Sequence, residues 1–224
     1  MQRPGRPRAR PREPEGWPTA TGTTALSVSL PEVDPVVRRW RARHDTAAAH
    51  GGTAHVTVLY PFLHRDRVGA PVRAALRRLF AAHEAFPVTF GRCARFPGVL
   101  YLVPEPDGPL RALTKAVVGQ WPGHPPYGGL FGDLDPHLTV ANSGGEAVHA
   151  AIEADLAPRL PVAARVGAVD LVAYDGRRWR EWLRFPLGAS PGGHGPPGGH
   201  GPPGAEADAG TDADARTEAD AGAG

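Results

Sequence analysis

Apolar and polar residues alternate at residues 25–30 (ALSVSL), so the apolar side chains share one face. The same alternation recurs at residues 55–60 (HVTVLY) and 137–141 (HLTVA). These three segments are therefore predicted to be half-buried β-strands. Four further strands are predicted near residues 88–96, 99–103, 162–174 and 179–187, the last two joined at an Asp-Gly turn signal.

Apolar residues spaced three and four apart predict amphipathic helices between these strands. The strongest pattern covers residues 70–83, where Val72, Leu76 and Phe80 share one face. Three other helices are predicted from about residue 34, at about 109–121 and at about 146–156. Each half of the chain thus holds a strand that begins with His, then a helix, then a pair of strands. This order indicates a repeat of elements without a repeat of sequence.

Glycine and proline are abundant, 29 and 26 of 224 residues, and much of the excess lies at the two ends. Residues 1–21 are rich in Pro and Arg, and the other end carries a duplicated PGGHGP followed by an Ala/Asp/Glu stretch. Such segments cannot bury enough apolar surface to fold. We therefore expect disordered tails at 1–21 and 189–224 around one folded domain at 22–188.

Charge and cysteine content narrow the classes of function. The chain has 25 basic and 23 acidic residues, which does not indicate bulk nucleic-acid binding. Many acidic residues lie in the C-terminal tail, so the folded part is basic and rich in Arg, which suits a phosphate-bearing substrate. A single cysteine, Cys93, permits no disulfide within the chain and favours a cytoplasmic location. No apolar run reaches the roughly 18 residues of a membrane span.

Two His-x-Thr motifs lie on predicted strands, His55 with Thr57 and His137 with Thr139. Residues i and i+2 of a strand point to the same face, so each motif presents an imidazole beside a hydroxyl. The residues between and after them are apolar and would point into a core. A third match at residues 44–46 (HDT) lies in a polar stretch and is interpreted as a loop or helix end.

These residue types indicate phosphoryl chemistry. Histidine has an ordinary pKa of about 6.5, so two histidines can divide the base and acid roles at one phosphorus. Threonine hydroxyls can donate hydrogen bonds to the phosphoryl oxygens as charge develops there. This chemistry needs neither a metal nor another cofactor, and we expect none. The residues leave open which histidine is the base.

The segments 55–62 (HVTVLYPF) and 136–140 (PHLTV) resemble the two signatures of the 2H phosphoesterase superfamily. More narrowly, they are similar to those of bacterial 2′-5′ RNA ligase-like proteins and RNA 2′,3′-cyclic phosphodiesterases. The resemblance implies a bilobal α+β fold, with two antiparallel sheets related by a pseudo-twofold axis around a central cleft and flanked by helices. It also implies four catalytic residues, which are His55, Thr57, His137 and Thr139.

The resemblance further implies hydrolysis of 2′,3′-cyclic phosphate ends of RNA or nucleotides, or reactions at 2′-5′ linkages. We therefore expect a metal-independent phosphodiesterase whose partner is an RNA or nucleotide with a cyclic phosphate. No membrane association is expected, and the chain is expected to be a monomer. The alternatives are a non-catalytic RNA- or nucleotide-binding module of the same fold, and an enzyme for another cyclic phosphate such as ADP-ribose cyclic phosphate.

Five residues near the motifs are candidate substrate contacts. Tyr60 and Phe62 follow the first motif and could form a wall for a base or ribose. Tyr127 and Phe131 lie in a glycine-rich loop before the second motif, where a ring could stack on a base. Arg177, at the predicted hairpin, could hold a phosphate. The plainer interpretations are core packing, an ordinary connector and a surface charge.

Overall fold

The computed structural model describes residues 20–130 and 135–188. The strands in these residues are β1 (Thr24–Ser29), β2 (His55–Leu59), β3 (Phe86–Phe96), β4 (Val99–Glu105), β5 (Leu138–Ala141), β6 (Val162–Val166), β7 (Ala168–Tyr174) and β8 (Trp179–Pro186). The helices there are α1 (Asp34–His44), α2 (Thr46–Ala49), α3 (Ala70–Ala81), α4 (Gly108–Gln120) and α5 (Gly145–Leu156). None of the helices in the described ranges is long and apolar enough to cross a membrane. The predicted tails lie almost wholly outside these ranges, so their disorder stays a prediction.

The strands form two four-stranded sheets, in the orders β2-β1-β7-β8 and β5-β4-β3-β6. Every neighbouring pair is antiparallel. The two strands associated with the His-x-Thr motifs, β2 and β5, are both edge strands, and they contact each other. The predicted α+β fold with two related antiparallel sheets is therefore confirmed.

A hairpin after each motif joins the sheet of the other motif, whereas β6, the first strand after the second motif, stays in the sheet of β5. The pair β3 and β4 follows the first motif but belongs to the sheet of β5, while β7 and β8 follow the second motif and belong to the sheet of β2. The prediction of one strand at residues 162–174 is wrong. That segment breaks at Gly167 into β6 and β7, which belong to different sheets; β6 alternates between buried and exposed residues in its second half, whereas β7 is buried at nearly every position.

The helices cover the apolar faces of the sheets and leave the opposite faces to a cleft. Helix α3 packs on β8, where the rings of Phe80 and Phe185 lie 5.9 Å apart. Helix α4 packs on β2, and the Thr114 hydroxyl donates to the carbonyl of Val58 at 3.0 Å. That bond supplies a partner to a backbone oxygen of an edge strand. Helix α1 packs on β5 and contacts α5.

Candidate active site

Both His-x-Thr motifs face one cleft between the two sheets. His55 begins β2, and His137 lies directly before β5. The apolar neighbours Val56 and Leu138 are buried, as strand alternation requires. All four motif side chains, those of His55, Thr57, His137 and Thr139, line a single cleft of about 1020 Å³. Residues far apart in the sequence are thus placed where they could act on one substrate.

The two imidazole rings are held in the same way. Nδ1 of His55 lies 2.7 Å from the carbonyl oxygen of Thr53, and Nδ1 of His137 lies 2.8 Å from that of Asp135. In each case the carbonyl belongs to the residue two positions earlier. Because a carbonyl only accepts, each Nδ1 carries the proton and donates it. In the neutral ring the lone pair is then on Nε2, which is the nitrogen that can act as a base.

A buried ion pair lies behind His55. Nε and Nη2 of Arg41 both donate to Oδ2 of Asp45, at 2.9 and 2.7 Å, and these side chains are 2% and 1% exposed. Burial lowers the pKa of His55 below its ordinary value, and the positive charge of Arg41 lowers it further. The Thr53 carbonyl and the Asp45 carboxylate oppose that shift without cancelling it. The neutral, proton-accepting form of His55 is therefore favoured.

Aromatic rings hold His137. Its buried ring lies 5.2 Å from that of Phe96 and 5.5 Å from that of Tyr101, which stack on each other at 4.3 Å. Tyr101 is the partner of Thr139 in the sheet. The Asp135 carboxylate, from the residue whose carbonyl holds His137, pairs with Arg111 of α4. A stacked pair of aromatic rings and one anchored carbonyl therefore restrict the orientation of this histidine.

The third His-x-Thr match forms the corner between α1 and α2. His44 is the last residue of α1, Thr46 is the first of α2, and Oδ1 of Asp45 accepts from the N–H of Ala47 at 3.0 Å. The interpretation of this match as a helix end is confirmed. Asp45 and Thr46 nevertheless line the cleft, which the sequence interpretation missed.

Three aromatic side chains form one wall of the cleft. The ring of Tyr60 lies 6.0 Å from those of Tyr127 and Trp179, in edge-to-face geometry. The N–H of Tyr127 donates to the carbonyl of Tyr60 at 2.6 Å, which ties the loop before the second motif to the end of the first. Tyr127 has a φ of 51°, a left-handed conformation that is costly for a residue with a Cβ. We call these three residues the aromatic wall.

The sequence model of the 2′-5′ RNA ligase superfamily matches residues 29–178 of this protein, more than half of the chain. The chain belongs to the 2′-5′ RNA ligase superfamily. Solved structures of 2H phosphoesterases share its fold. E. coli LigT in apo form has 22% identity and a TM-score of 0.50, and the match covers 75% of this chain and 98% of LigT.

Two further structures are similar at lower scores. E. coli LigT complexed with 3′-AMP has 22% identity and a TM-score of 0.48, and the match covers 75% of this chain and 99% of the LigT chain. TT0787 of Thermus thermophilus has 20% identity and a TM-score of 0.48, with 75% and 98% covered. No curated protein sequence matches the chain.

Only some of the side chains predicted to contact substrate in this superfamily member line the cleft. Tyr60 and Tyr127 line the cleft, whereas the ring of Phe62 is buried against Trp121 at 5.2 Å and does not line it, so the predicted contact at Phe62 has no support from the geometry. Arg177 is exposed in the turn between β7 and β8 and does not line the cleft, so its predicted phosphate contact has no support from the geometry. Phe131 lies outside the described residues.

Trp179 takes part both in cross-strand packing and in the cleft. It pairs with Tyr174 across β7 and β8, with rings 5.4 Å apart, and it also lines the cleft. The ionisable side chains lining the cleft around His55 are those of Asp45, His50, Tyr60, Tyr127, His137, Arg180 and Glu181. Within residues 20–130 and 135–188, no group of three or more His, Cys, Asp or Glu side chains could hold a metal ion.

Proposed function

We propose that this protein hydrolyses 2′,3′-cyclic phosphate ends of RNA or nucleotides, using His55 and His137 as the general base and general acid. Membership in a superfamily of phosphoesterases and ligases supports the proposal that this protein is an enzyme. The observation that carries the finer proposal is the pairing of the two motifs across one cleft. Each offers an imidazole oriented through Nδ1 and a hydroxyl two residues later.

The reaction needs one water and two proton transfers. The base removes a proton from water as its oxygen attacks phosphorus, and the P–O bond to one ribose oxygen breaks. The acid then gives a proton to that oxygen, which leaves a phosphate monoester on the other. Because burial and Arg41 favour neutral His55, we assign His55 as the base and His137 as the acid.

Thr57 and Thr139 supply hydrogen bonds to the phosphoryl oxygens in this proposal. Both line the cleft beside the histidine of their own motif. Hydroxyls on strands lose little freedom when the transition state forms, so their dipoles need no reorganisation at that moment. Charge that builds on the two non-bridging oxygens is thereby stabilised from both sheets.

The aromatic wall is the proposed site for the nucleobase. Tyr60, Tyr127 and Trp179 expose ring surface at the cleft, and a base can stack on such a surface whatever its identity. Stacking on an aromatic ring contributes about 1–3 kcal/mol per base. The wall therefore favours a nucleotide over a cyclic phosphate without a base.

The test is hydrolysis of a 2′,3′-cyclic nucleotide with EDTA present, by the wild type and by His55→Ala and His137→Ala. We expect wild-type activity and a loss of about 10²- to 10⁴-fold in kcat/KM for each variant. His50→Ala is the matched control, since His50 lines the cleft outside both motifs. Wild-type activity in either motif variant would refute the acid–base roles. Binding without turnover by the wild type would instead favour the non-catalytic module.

A panel of substrates separates the remaining reactions. It contains a 2′,3′-cyclic mononucleotide, an oligoribonucleotide with a cyclic end, ADP-ribose cyclic phosphate and a 2′-5′-linked dinucleotide. An added 5′-hydroxyl oligonucleotide tests ligation, in which that hydroxyl replaces water as the nucleophile. The proposal expects hydrolysis of the first two at the highest kcat/KM. A clear preference for another member would replace the substrate and leave the two-histidine chemistry intact.

A further inference from the structure

Asn142 follows the second motif strand and bonds to the corner beside the first motif. Its backbone N–H donates to the carbonyl of His44 at 2.7 Å. Its Oδ1 accepts from the N–H of Thr46 at 3.2 Å, and its Nδ2 donates to the Thr46 hydroxyl at 2.9 Å and to Oδ1 of Asp45 at 3.4 Å. Because a backbone N–H can only donate, the contact with Thr46 fixes which way the amide faces.

Side chains and backbone of α1 and α2 also bond to the corner that Asn142 contacts. Arg41 binds Oδ2 of Asp45, while Oδ1 of the same carboxylate accepts from Ala47 and from Asn142. Both carboxylate oxygens of Asp45 are therefore engaged, and one of their partners, Asn142, is the residue directly after β5. Few alternative positions of the corner would keep all of these bonds.

The chain runs from this corner directly to His55. The N–H of Gly52 donates to the carbonyl of Ala47 at 2.8 Å, and a Cβ on Gly52 would lie only 2.9 Å from that oxygen. The next residue, Thr53, provides the carbonyl that orients His55. A displacement of the corner would therefore displace the carbonyl to which the His55 ring is bonded.

We propose that Asn142 is a positioning residue that ties the strand of Thr139 to the corner from which His55 is oriented. The inference rests on the proposed function, because relative placement matters only if the two histidines act on one phosphorus. A misplacement of about 1 Å between reacting groups can cost about 10²-fold in rate. Asn142 lines the cleft, but its amide is engaged with Thr46 and Asp45, so it would act on kcat through His55 with little effect on substrate affinity.

The experiment compares Asn142→Asp and Asn142→Ala with Ser143→Ala. Ser143 bonds the same His44 carbonyl through its hydroxyl, at 3.2 Å, but has no bond to Asp45 or Thr46, which makes it the matched control. The readouts are kcat and KM for a 2′,3′-cyclic nucleotide, and the NMR titration of the His55 Cε1–H without substrate. Circular dichroism establishes that each variant is folded.

We expect both Asn142 variants to lose about 10- to 100-fold in kcat with KM within about threefold of wild type. In Asn142→Asp the titration midpoint of His55 should also move to higher pH, because a second carboxylate then lies beside that of Asp45. Ser143 lines the cleft as Asn142 does, so Ser143→Ala controls for the loss of a polar cleft side chain; its kcat and its His55 titration should match the wild type. Wild-type kcat and an unchanged His55 titration in both Asn142 variants would overturn the inference. So would a failure of both to fold, since Asn142 would then serve the fold alone.

Different results would overturn the proposed function and the positioning role of Asn142. A wild-type protein that hydrolyses no cyclic phosphate overturns the proposed function, whereas the NMR titration still decides whether Asn142 is coupled to His55. Normal hydrolysis by the wild type and by Asn142→Asp, with an unchanged titration, overturns the positioning role and keeps the proposed function.

Discussion

Replacing Arg41 by Met removes the positive charge behind His55 and leaves the buried Asp45 carboxylate without its cationic partner. Arg41 makes two hydrogen bonds to a single carboxylate oxygen, at 2.9 and 2.7 Å, and both side chains are almost fully buried. Removing one member of such a pair costs about 3–5 kcal/mol in the free energy of unfolding. For a domain of this size that is a fall of about 6–20 °C in Tm.

The same replacement should raise the pKa of His55. Arg41 is one of the two causes that lower this pKa, and the remaining charge of Asp45 raises it. In the wild type the folded state binds a proton at His55 less tightly than the unfolded state does. The stability that this histidine contributes is therefore complete above its ordinary pKa of about 6.5 and is lost as pH falls through the lower folded value. Arg41→Met should weaken this pH dependence.

Thermal unfolding at pH 8 and at pH 5.5, with the pH profile of kcat/KM, measures both effects. The acid limb of the profile should move to higher pH in Arg41→Met. Arg41→Lys keeps the charge without the forked geometry, so its acid limb should stay near that of the wild type. The double variant Arg41→Met/Asp45→Asn removes both charges and should be more stable than the sum of the single losses predicts. An Arg41→Met protein with wild-type Tm and an unmoved acid limb would refute this reasoning.

Three further predictions follow from the site and its surroundings. Thr57→Val and Thr139→Val keep the side-chain shape and should each lower kcat roughly 10²-fold in steady-state assays; unchanged kcat would exclude their hydrogen bonds to the phosphoryl group. Trp179→Ala should raise KM about 5- to 150-fold by removing a stacking surface, whereas Arg177→Ala should leave KM unchanged. Equal changes of KM in the two variants would contradict the proposed placement of the nucleobase. Burial and then the charge of Glu153 raise the pKa of the Cys93 thiol to about 11. Alkylation of Cys93 at pH 8, followed by mass spectrometry, should therefore be slow in the folded protein, and labelling as fast as in urea would contradict this.

The elements that sequence predicts well here are those with a local physical signal. The alternation around His55 and His137 identifies strands with one polar face, and the helical spacing of Leu76 and Phe80 predicts α3. Pairing between distant strands has no such signal. The strands after each motif could therefore be predicted, but not their exchange between the two sheets, which is decided by packing across the whole domain.

The candidate site shows the same limit. The four motif residues could be found because residue type and strand period together indicate them. Asp45 and Thr46 could not, since they reach the cleft only through the fold of a polar corner. Phe62 comes two residues after Tyr60 in the same segment, yet its ring lies in the core against Trp121, and no local pattern distinguishes the two.

In the proposed mechanism both histidines act on one phosphate. A crystal structure with a bound nucleoside 2′- or 3′-monophosphate, the class of product expected, tests it most directly. We predict that the phosphate lies between His55 and His137, with Nε2 of each ring about 2.6–3.2 Å from a phosphoryl oxygen and both threonine hydroxyls within hydrogen-bond reach. A phosphate bound to one motif alone, or outside the cleft, would contradict it.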